Sequence, residues 1–112
     1  MIDPELASDA VIRIRVDPEI ASLVPEFLDN RFKDMTLLIR AVYKSDFETA
    51  CILGHSMKGC GSGYGFHGIT EIGRLIEEAA KLRDAVAITD QIHALSLYLS
   101  RLEIVTDAVD EV

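Results

Sequence analysis

The sequence predicts an all-α fold: an antiparallel, up-and-down four-helix bundle preceded by a short N-terminal arm and a short helix. Apolar residues recur at three- and four-residue steps along four segments of helical length, which is the spacing of one helix face. Short connections join the segments, so consecutive helices are expected to run antiparallel. Because each helix is apolar on one face only, none is stable alone in water, and the four apolar faces are expected to pack together.

The N-terminal part of the chain predicts an arm and then two helices. Residues 11–16, VIRIRV, alternate as a strand does, but no second strand is apparent, so residues 1–16 are interpreted as an extended arm. Asp17 followed by Pro18 is typical of a helix start, and Pro25 interrupts soon after. We therefore expect a short helix near 18–23 and a long one from about 25 to 44. The apolar face of the long helix consists of Phe27, Leu28, Met35, Leu38, Ile39 and Val42.

Three further helices are predicted after residue 45. Ser45 and Glu48 have the spacing of a capping box and open a helix from about 46 to 64. The sequence GFHG (65–68) ends it, a third helix runs to about 82, and a fourth follows the turn at Arg83 and Asp84 and runs to about 108. The bundle domain is thus expected to span 17–108, with a tail at 109–112. The apolar face of the third helix consists of Ile69, Ile72, Leu75, Ile76 and Ala79, and that of the fourth helix consists of Ile88, Ile92, Leu95, Leu99 and Leu102.

Composition and charge argue against nucleic-acid binding. The chain has 112 residues, enough for one domain, and its 11 basic and 19 acidic residues leave a net charge of −8. Nucleic-acid backbones are bound by clustered Lys and Arg, and the sequence has no basic cluster. An acidic surface instead suits a protein partner that carries a complementary positive patch.

The sequence also predicts a cytoplasmic protein that does not enter membranes. No apolar run reaches the roughly 20 residues needed to cross a bilayer, and the start, MIDPELASDA, lacks the basic and apolar regions of a signal peptide. Cys51 and Cys60 would lie about 13 Å apart along one helix, too far for a disulfide. We expect both thiols to be reduced.

A glycine-rich stretch, GHSMKGCGSGYG (54–65), lies within the predicted second helix and holds a histidine. On a helical wheel of about 100° per residue, His55 falls in the middle of the outward face, away from Leu53 and Met57. The core stripe is predicted to contain Ala50, Leu53, Met57, Cys60 and Tyr64. The outward face is predicted to contain Cys51, His55, Lys58, Gly59 and Ser62.

The residues that follow His55 suit an imidazole that a large partner must reach. Side chains on a helix tilt toward its N-terminus, so residues three and four positions later lean back over His55. Lys58 can bring its ammonium group to an anion carried by the ring. A side chain at position 59 would cover the ring, and Gly59 leaves it open. This arrangement favours a phosphoryl acceptor that another protein approaches.

The pattern H-x-x-K-G-x-x-x-x-x-G, formed by His55, Lys58, Gly59 and Gly65, resembles the signature of the histidine-containing phosphotransfer (HPt) domains of bacterial phosphorelays. The stretch VDPEIASLVPEFLDNRFKDM is similar to the first long helix of that family, and GITEIGRLIEEAAK is similar to its third. The resemblance covers roughly residues 16–105, nearly the whole chain.

The resemblance implies a phosphorelay intermediate. The neutral imidazole of His55 would accept a phosphoryl group from a receiver-domain aspartate or a hybrid sensor histidine kinase, and pass it to another response-regulator receiver. Lys58 would stabilise charge and Gly59 would provide access. The chain would need no cofactor of its own, because the partner receiver would bring Mg²⁺. It would be a monomeric carrier, without an ATP site, and not an enzyme.

Other interpretations of the same residues remain open. The chain could be a helical module that binds receivers without carrying phosphate, with His55 an ordinary exposed residue. Cys51 and His55 could ligate a metal, but a site needs three or four convergent ligands, and His67 lies beyond the helix break. A nucleotide loop would follow a strand and open a helix, whereas this glycine-rich stretch ends a helix. His67 and His93 are interpreted as plain surface histidines.

Overall fold

A computed structural model describes residues 10–106 and confirms the predicted all-α, four-helix bundle. The helices are α1 (Val24–Tyr43), α2 (Phe47–Gly61), α3 (His67–Lys81) and α4 (Ala85–Ser100). Two 3₁₀ turns, Ala21–Leu23 and Ser62–Tyr64, and two short strands, β1 (Ile12–Val16) and β2 (Leu102–Thr106), complete the described elements. Within these residues no helix is long and apolar enough to cross a bilayer.

The four helices surround one apolar core. Helices α1 and α3 each pack against both α2 and α4. Gly61, at the end of α2, lies against Thr70 near the start of α3, and Gly68 at the start of α3 lies against Tyr98 near the end of α4. These consecutive helices therefore run antiparallel. The fully buried core side chains include Leu38, Met57, Phe66, Ile69, Ile72, Ile76, Ile88, Leu95 and Tyr98.

The segment predicted to be an unpaired arm is a strand with a partner. Strand β1 pairs in parallel with β2, with Ile12 opposite Leu102 and Val16 opposite Thr106. The alternation does mark one buried face, which consists of Ile12, Ile14 and Val16. Arg13 on the exposed face forms an ion pair with Glu103, with 3.2 Å between Nε and Oε1. The partner strand could not be seen because its residues continue the apolar spacing of α4.

The fourth helix is consequently shorter than predicted. It ends at Ser100, with Arg101 as its C-cap, rather than near residue 108. Residues 104–106, Ile-Val-Thr, are β-branched and favour a strand once a partner strand is beside them. Residues 107–108 of the predicted helix, the predicted tail at 109–112 and residues 1–9 of the predicted arm lie outside the described part of the chain.

Several helix ends also differ from the predictions. The Asp17 carboxylate accepts a hydrogen bond from the Glu19 amide at 2.8 Å, and the predicted short helix is only the 3₁₀ turn Ala21–Leu23. Asp46, not Ser45, caps α2: its carboxylate accepts from the Thr49 amide at 3.1 Å. Ser45 is in the left-handed region with φ 55°, a conformation unlike that of an N-cap residue.

Helices α2 and α3 touch through their glycines. A Cβ on Gly54 would lie 2.7 Å from the Glu77 amide nitrogen and 2.8 Å from the Gly73 carbonyl oxygen, and one on Gly73 would lie 2.5 Å from the Lys58 amide nitrogen. Backbone thus packs directly on backbone. The predicted core stripe is therefore right for Ala50 and Met57, but it omitted the glycines, which have no side chain to mark a buried face. The buried residues of α2 are Ala50, Gly54, Met57 and Gly61, whereas Leu53, Cys60 and Tyr64 are only half-buried.

Adding a methyl group at this contact should separate the two helices. We expect Gly54→Ala to lower the free energy of unfolding by about 1–3 kcal/mol, the usual cost of overpacking, because neither backbone atom can move independently of its helix. Gly59→Ala is the matched control: apart from its chain neighbours and the nearby backbone of α2, no atom of residues 10–106 lies within 4 Å of its added Cβ, so it should leave stability unchanged or raise it by up to about 1 kcal/mol. Urea unfolding measures both, and equal midpoints for the two variants would contradict the contact.

Candidate functional site

His55 lies near the middle of α2 with its side chain 69% exposed. This confirms the predicted position on the outward face. Gly59 is exposed one turn later, and a Cβ added there would have no described atom within 4 Å apart from its chain neighbours and the nearby backbone of α2. The approach to His55 across position 59 is therefore open, as the sequence predicts.

The residue that the sequence did not predict is Glu77 of α3. One of its carboxylate oxygens, Oε2, lies 3.0 Å from His55 Nδ1. The other, Oε1, lies 2.8 Å from Lys58 Nζ. Although it is charged, the Glu77 side chain is only 10% exposed. It occupies this position because the glycine contact brings its backbone against α2 beside Gly54.

The contact with Glu77 determines which ring nitrogen of His55 is available. An ionised carboxylate only accepts hydrogen bonds, so Nδ1 must donate the hydrogen bond to Glu77. In the neutral ring, Nδ1 is therefore the nitrogen that carries the hydrogen. The lone pair is then on Nε2. Among the described residues no hydrogen bond to Nε2 is formed. When the ring is neutral, the site therefore presents one nucleophilic nitrogen, Nε2.

Glu77 remains ionised far below neutral pH. Hydrogen bonding from Lys58 is the largest cause that lowers its pKa, and the hydrogen bond from His55 and the charges of Lys58 and Lys81 add to it. Desolvation opposes these effects, yet the pKa falls from the ordinary 4.5 to about 2. The carboxylate is a permanent acceptor for the His55 ring.

Lys58 is near His55 but does not contact the ring in this state. Its ammonium group is bound to Glu77, and its side chain is 38% exposed. The predicted pairing of Lys58 with an anion on the imidazole therefore requires that it leave the carboxylate. Gly65, the last residue of the motif, has φ +90° and follows the 3₁₀ turn after α2. Its role in the structure is to permit that turn, not to contact the ring.

A polar cleft of about 270 Å³ lies between α1 and α2, next to Ser56, the residue that follows His55. The Arg31 guanidinium is buried in its wall, over the Phe27 ring at 4.7 Å. It donates to the Asp34 carboxylate at 2.9 Å and to Cys60 Sγ at 3.1 Å. Burial raises the pKa of Asp34 in spite of this pairing. The cleft is lined by Leu23, Glu26, Phe27, Asn30, Arg31, Ser56, Cys60 and Tyr64.

The other candidate residues lie apart from this centre. His67 is exposed at the start of α3, where its Nδ1 is 3.2 Å from Ser62 Oγ. His93 is exposed on α4 beside an apolar groove between α1 and α4. Cys51 and Cys60 are free thiols, as predicted. Within residues 10–106 no group of three or more His, Cys, Asp and Glu side chains is placed to hold a metal ion.

The position of Glu77 on the helical wheel could have indicated that it is unusual. It follows Ile76 and falls on the wheel close to Gly73 and Ala80, on the side of α3 that is otherwise apolar or small. A charged residue on such a face needs a partner, but nothing in the sequence relates it to His55, 22 residues earlier.

Comparisons with protein-family models, with curated proteins and with solved structures find no match to this chain. Inference about its function therefore depends on the residues around His55 and on the bundle that holds them.

The pairing of Glu77 should make stability depend on pH. Its pKa is lower in the folded protein than the ordinary 4.5, so its stabilising effect is fully present above that value and is lost as the pH falls toward about 2. We expect Glu77→Gln to be less stable than the parent at neutral pH, and the difference to shrink over that window. Urea unfolding at a series of pH values measures this.

Glu78→Gln serves as the control, because the Glu78 carboxylate is exposed and pairs with Arg74 instead. A difference between parent and Glu77→Gln that stays constant from neutral pH to pH 2 would show that the carboxylate is not held by these charges.

Proposed function

We propose that this chain is a phosphorelay intermediate of the histidine-containing phosphotransfer type. His55 accepts a phosphoryl group from a receiver-domain phosphoaspartate or a hybrid sensor histidine kinase, and then passes it to another response-regulator receiver. The observation that carries the proposal is the hydrogen bond from His55 Nδ1 to the largely buried Glu77 carboxylate. It leaves an exposed, neutral ring with its lone pair on Nε2.

The transfer step follows from this geometry. The Nε2 lone pair attacks the phosphorus atom of the acyl phosphate, so a P–N bond forms as the P–O bond to the aspartate breaks. The aspartate carboxylate leaves with the bonding electron pair. No proton needs to move, because Nδ1 keeps its hydrogen. The ring becomes positively charged as the bond forms, and the Glu77 carboxylate at 3.0 Å stabilises that charge.

The surface around His55 supports a protein as the second reactant. Gly59 leaves the ring uncovered. Two large apolar residues are exposed in the neighbourhood: Ile52, three residues before His55 on α2, and Leu23, which lines the polar cleft together with Ser56. Protein–protein interfaces combine exposed apolar residues with polar groups, so these residues are compatible with docking of a receiver. The receiver would supply Mg²⁺ and its own acidic pocket, so this chain acts as a carrier with no cofactor or ATP site of its own.

A phosphorelay carrier of this kind works in the cytoplasm, where kinases and receivers meet. We propose that it acts there as a monomer, with receivers and a hybrid sensor histidine kinase as its partners and with neither nucleic acid nor membrane bound. The net charge of −8 suits encounter with a receiver surface that carries a positive patch.

Phosphate should reside on His55 alone. A phosphorylated receiver with Mg²⁺ should label the parent protein with an acid-labile, base-stable phosphate, and His55→Gln should take up none while it remains folded by circular dichroism. His67→Gln and His93→Gln are the controls and should be labelled like the parent. Binding of a receiver without any label on the parent would instead favour a module that docks receivers without carrying phosphate.

Gly59 should act through the absence of a side chain. We expect Gly59→Leu to fold but to slow transfer severely, because the added side chain leans back over the imidazole and obstructs the receiver. Gly59→Ala adds only a methyl group and should transfer at close to the parental rate. Single-turnover labelling at saturating receiver measures the three proteins. Parental rates in Gly59→Leu would show that the glycine is not needed for access.

A further inference from the structure

The lysines beside Glu77 carry more positive charge than its one carboxylate neutralises. Besides Lys58 on Oε1 and His55 on Oε2, a second lysine is within reach: Lys81 Nζ lies 3.6 Å from Oε2. Lys81 is one turn further along α3, and its side chain is 65% exposed. With one carboxylate, two ammonium groups and a neutral imidazole, the cluster has a net charge of +1.

The release of Lys58 would be costly if it were the sole cation at Glu77. In the proposed function Lys58 turns toward the incoming phosphoryl group, and it must leave Glu77 to do so. A carboxylate that is only 10% exposed would then lose its closest ion pair, which is unfavourable. Its uncompensated charge would also favour a second proton on His55, and a doubly protonated ring has no lone pair for the attack.

We propose that Lys81 is a positioning residue that replaces Lys58 at Glu77 when Lys58 turns toward the phosphoryl group, an inference that rests on the proposed function. Lys81 already lies beside the carboxylate and needs only a small shift of one flexible, exposed side chain to form a close ion pair. Glu followed by Lys four residues later is the favourable order for such a pair on a helix.

This exchange leaves each anion with a cation throughout the transfer. Before it, Lys58 neutralises Glu77 and Lys81 supplies the surplus positive charge. After it, Lys81 neutralises Glu77 and Lys58 neutralises part of the phosphoryl charge. Lys81 thus acts through Glu77 and Lys58 without contacting the reacting atoms.

The replacement itself can be tested without any phosphate. The charged and titratable groups that face Glu77 are His55 and Lys58 from α2 and Lys81 from its own helix. The ¹³C signal of the Glu77 carboxyl group would be titrated in Lys58→Met and in Lys58→Met/Lys81→Met. We expect the double variant to bind a proton about twofold to fivefold more tightly than Lys58→Met, the effect of losing a partly exposed ion pair. Identical titrations in the two proteins would overturn the proposal.

The use of the replacement is tested by the rate of His55 labelling at saturating receiver. Lys81→Met should slow it by about twofold to fivefold, Lys81→Arg should restore it, and in a Lys58→Met background Lys81→Met should add little. Lys33→Met is the control, because Lys33 is about as exposed as Lys81 and also forms an i,i+4 pair, at 3.3 Å, but with the exposed Asp29 of α1.

The outcomes separate this proposal from the proposed function. A parental rate in Lys81→Met, or an equal loss in both backgrounds, overturns the role of Lys81 while the carrier function stands. If the parent takes up no label, the carrier function fails, and the carboxyl titration alone decides whether Lys81 replaces Lys58.

Discussion

The backbone contact between Gly54 and Gly73 is the constraint on which the site depends. Helices that meet through larger side chains keep their backbones farther apart, whereas here the space for a Cβ on either glycine is already filled by backbone atoms of the facing helix. At this short separation a glutamate on α3 can reach a histidine on the outward side of α2. Glycine weakens a helix by roughly 1 kcal/mol, and in α2 that cost is offset by a contact that no other residue permits.

Glu77 connects the packing of the bundle with the chemistry of its surface. It is held by the core side of α3, yet its carboxylate contacts one exposed histidine and two lysines. One buried acceptor thereby selects the tautomer of His55 and keeps Lys58 close to it. Positioning and charge neutralisation are the main demands of phosphoryl transfer, and a single nucleophile among a few fixed charges is the kind of site that the proposed function needs. The glycines of α2 consequently divide into two kinds: Gly54 and Gly61 permit close packing, and Gly59 leaves the ring exposed.

The small sheet shows how the same residues can be interpreted in two ways. The sequence of β1 alternates and predicts an extended segment, but β2 follows α4 without a proline or glycine and continues its apolar spacing. A strand is defined by its partner, and the partner here is about ninety residues away, across all four helices. The pairing buries Ile12, Ile14 and Val16 and joins the two ends of the described chain. It thus requires that α4 end at Ser100.

Local periodicity was enough to predict the four-helix bundle, the exposed middle position of His55 and the open space at Gly59, because each depends on which way side chains point along a single helix. Glu77, the tautomer of His55, the position of Lys58 on the carboxylate and the packing role of Gly54 could not be predicted in this way. Each depends on how closely α3 approaches α2, and that distance is a property of two helices together. The same holds for the strand pair. A pattern within one segment reports which face is buried, but only the folded chain determines what lies against that face.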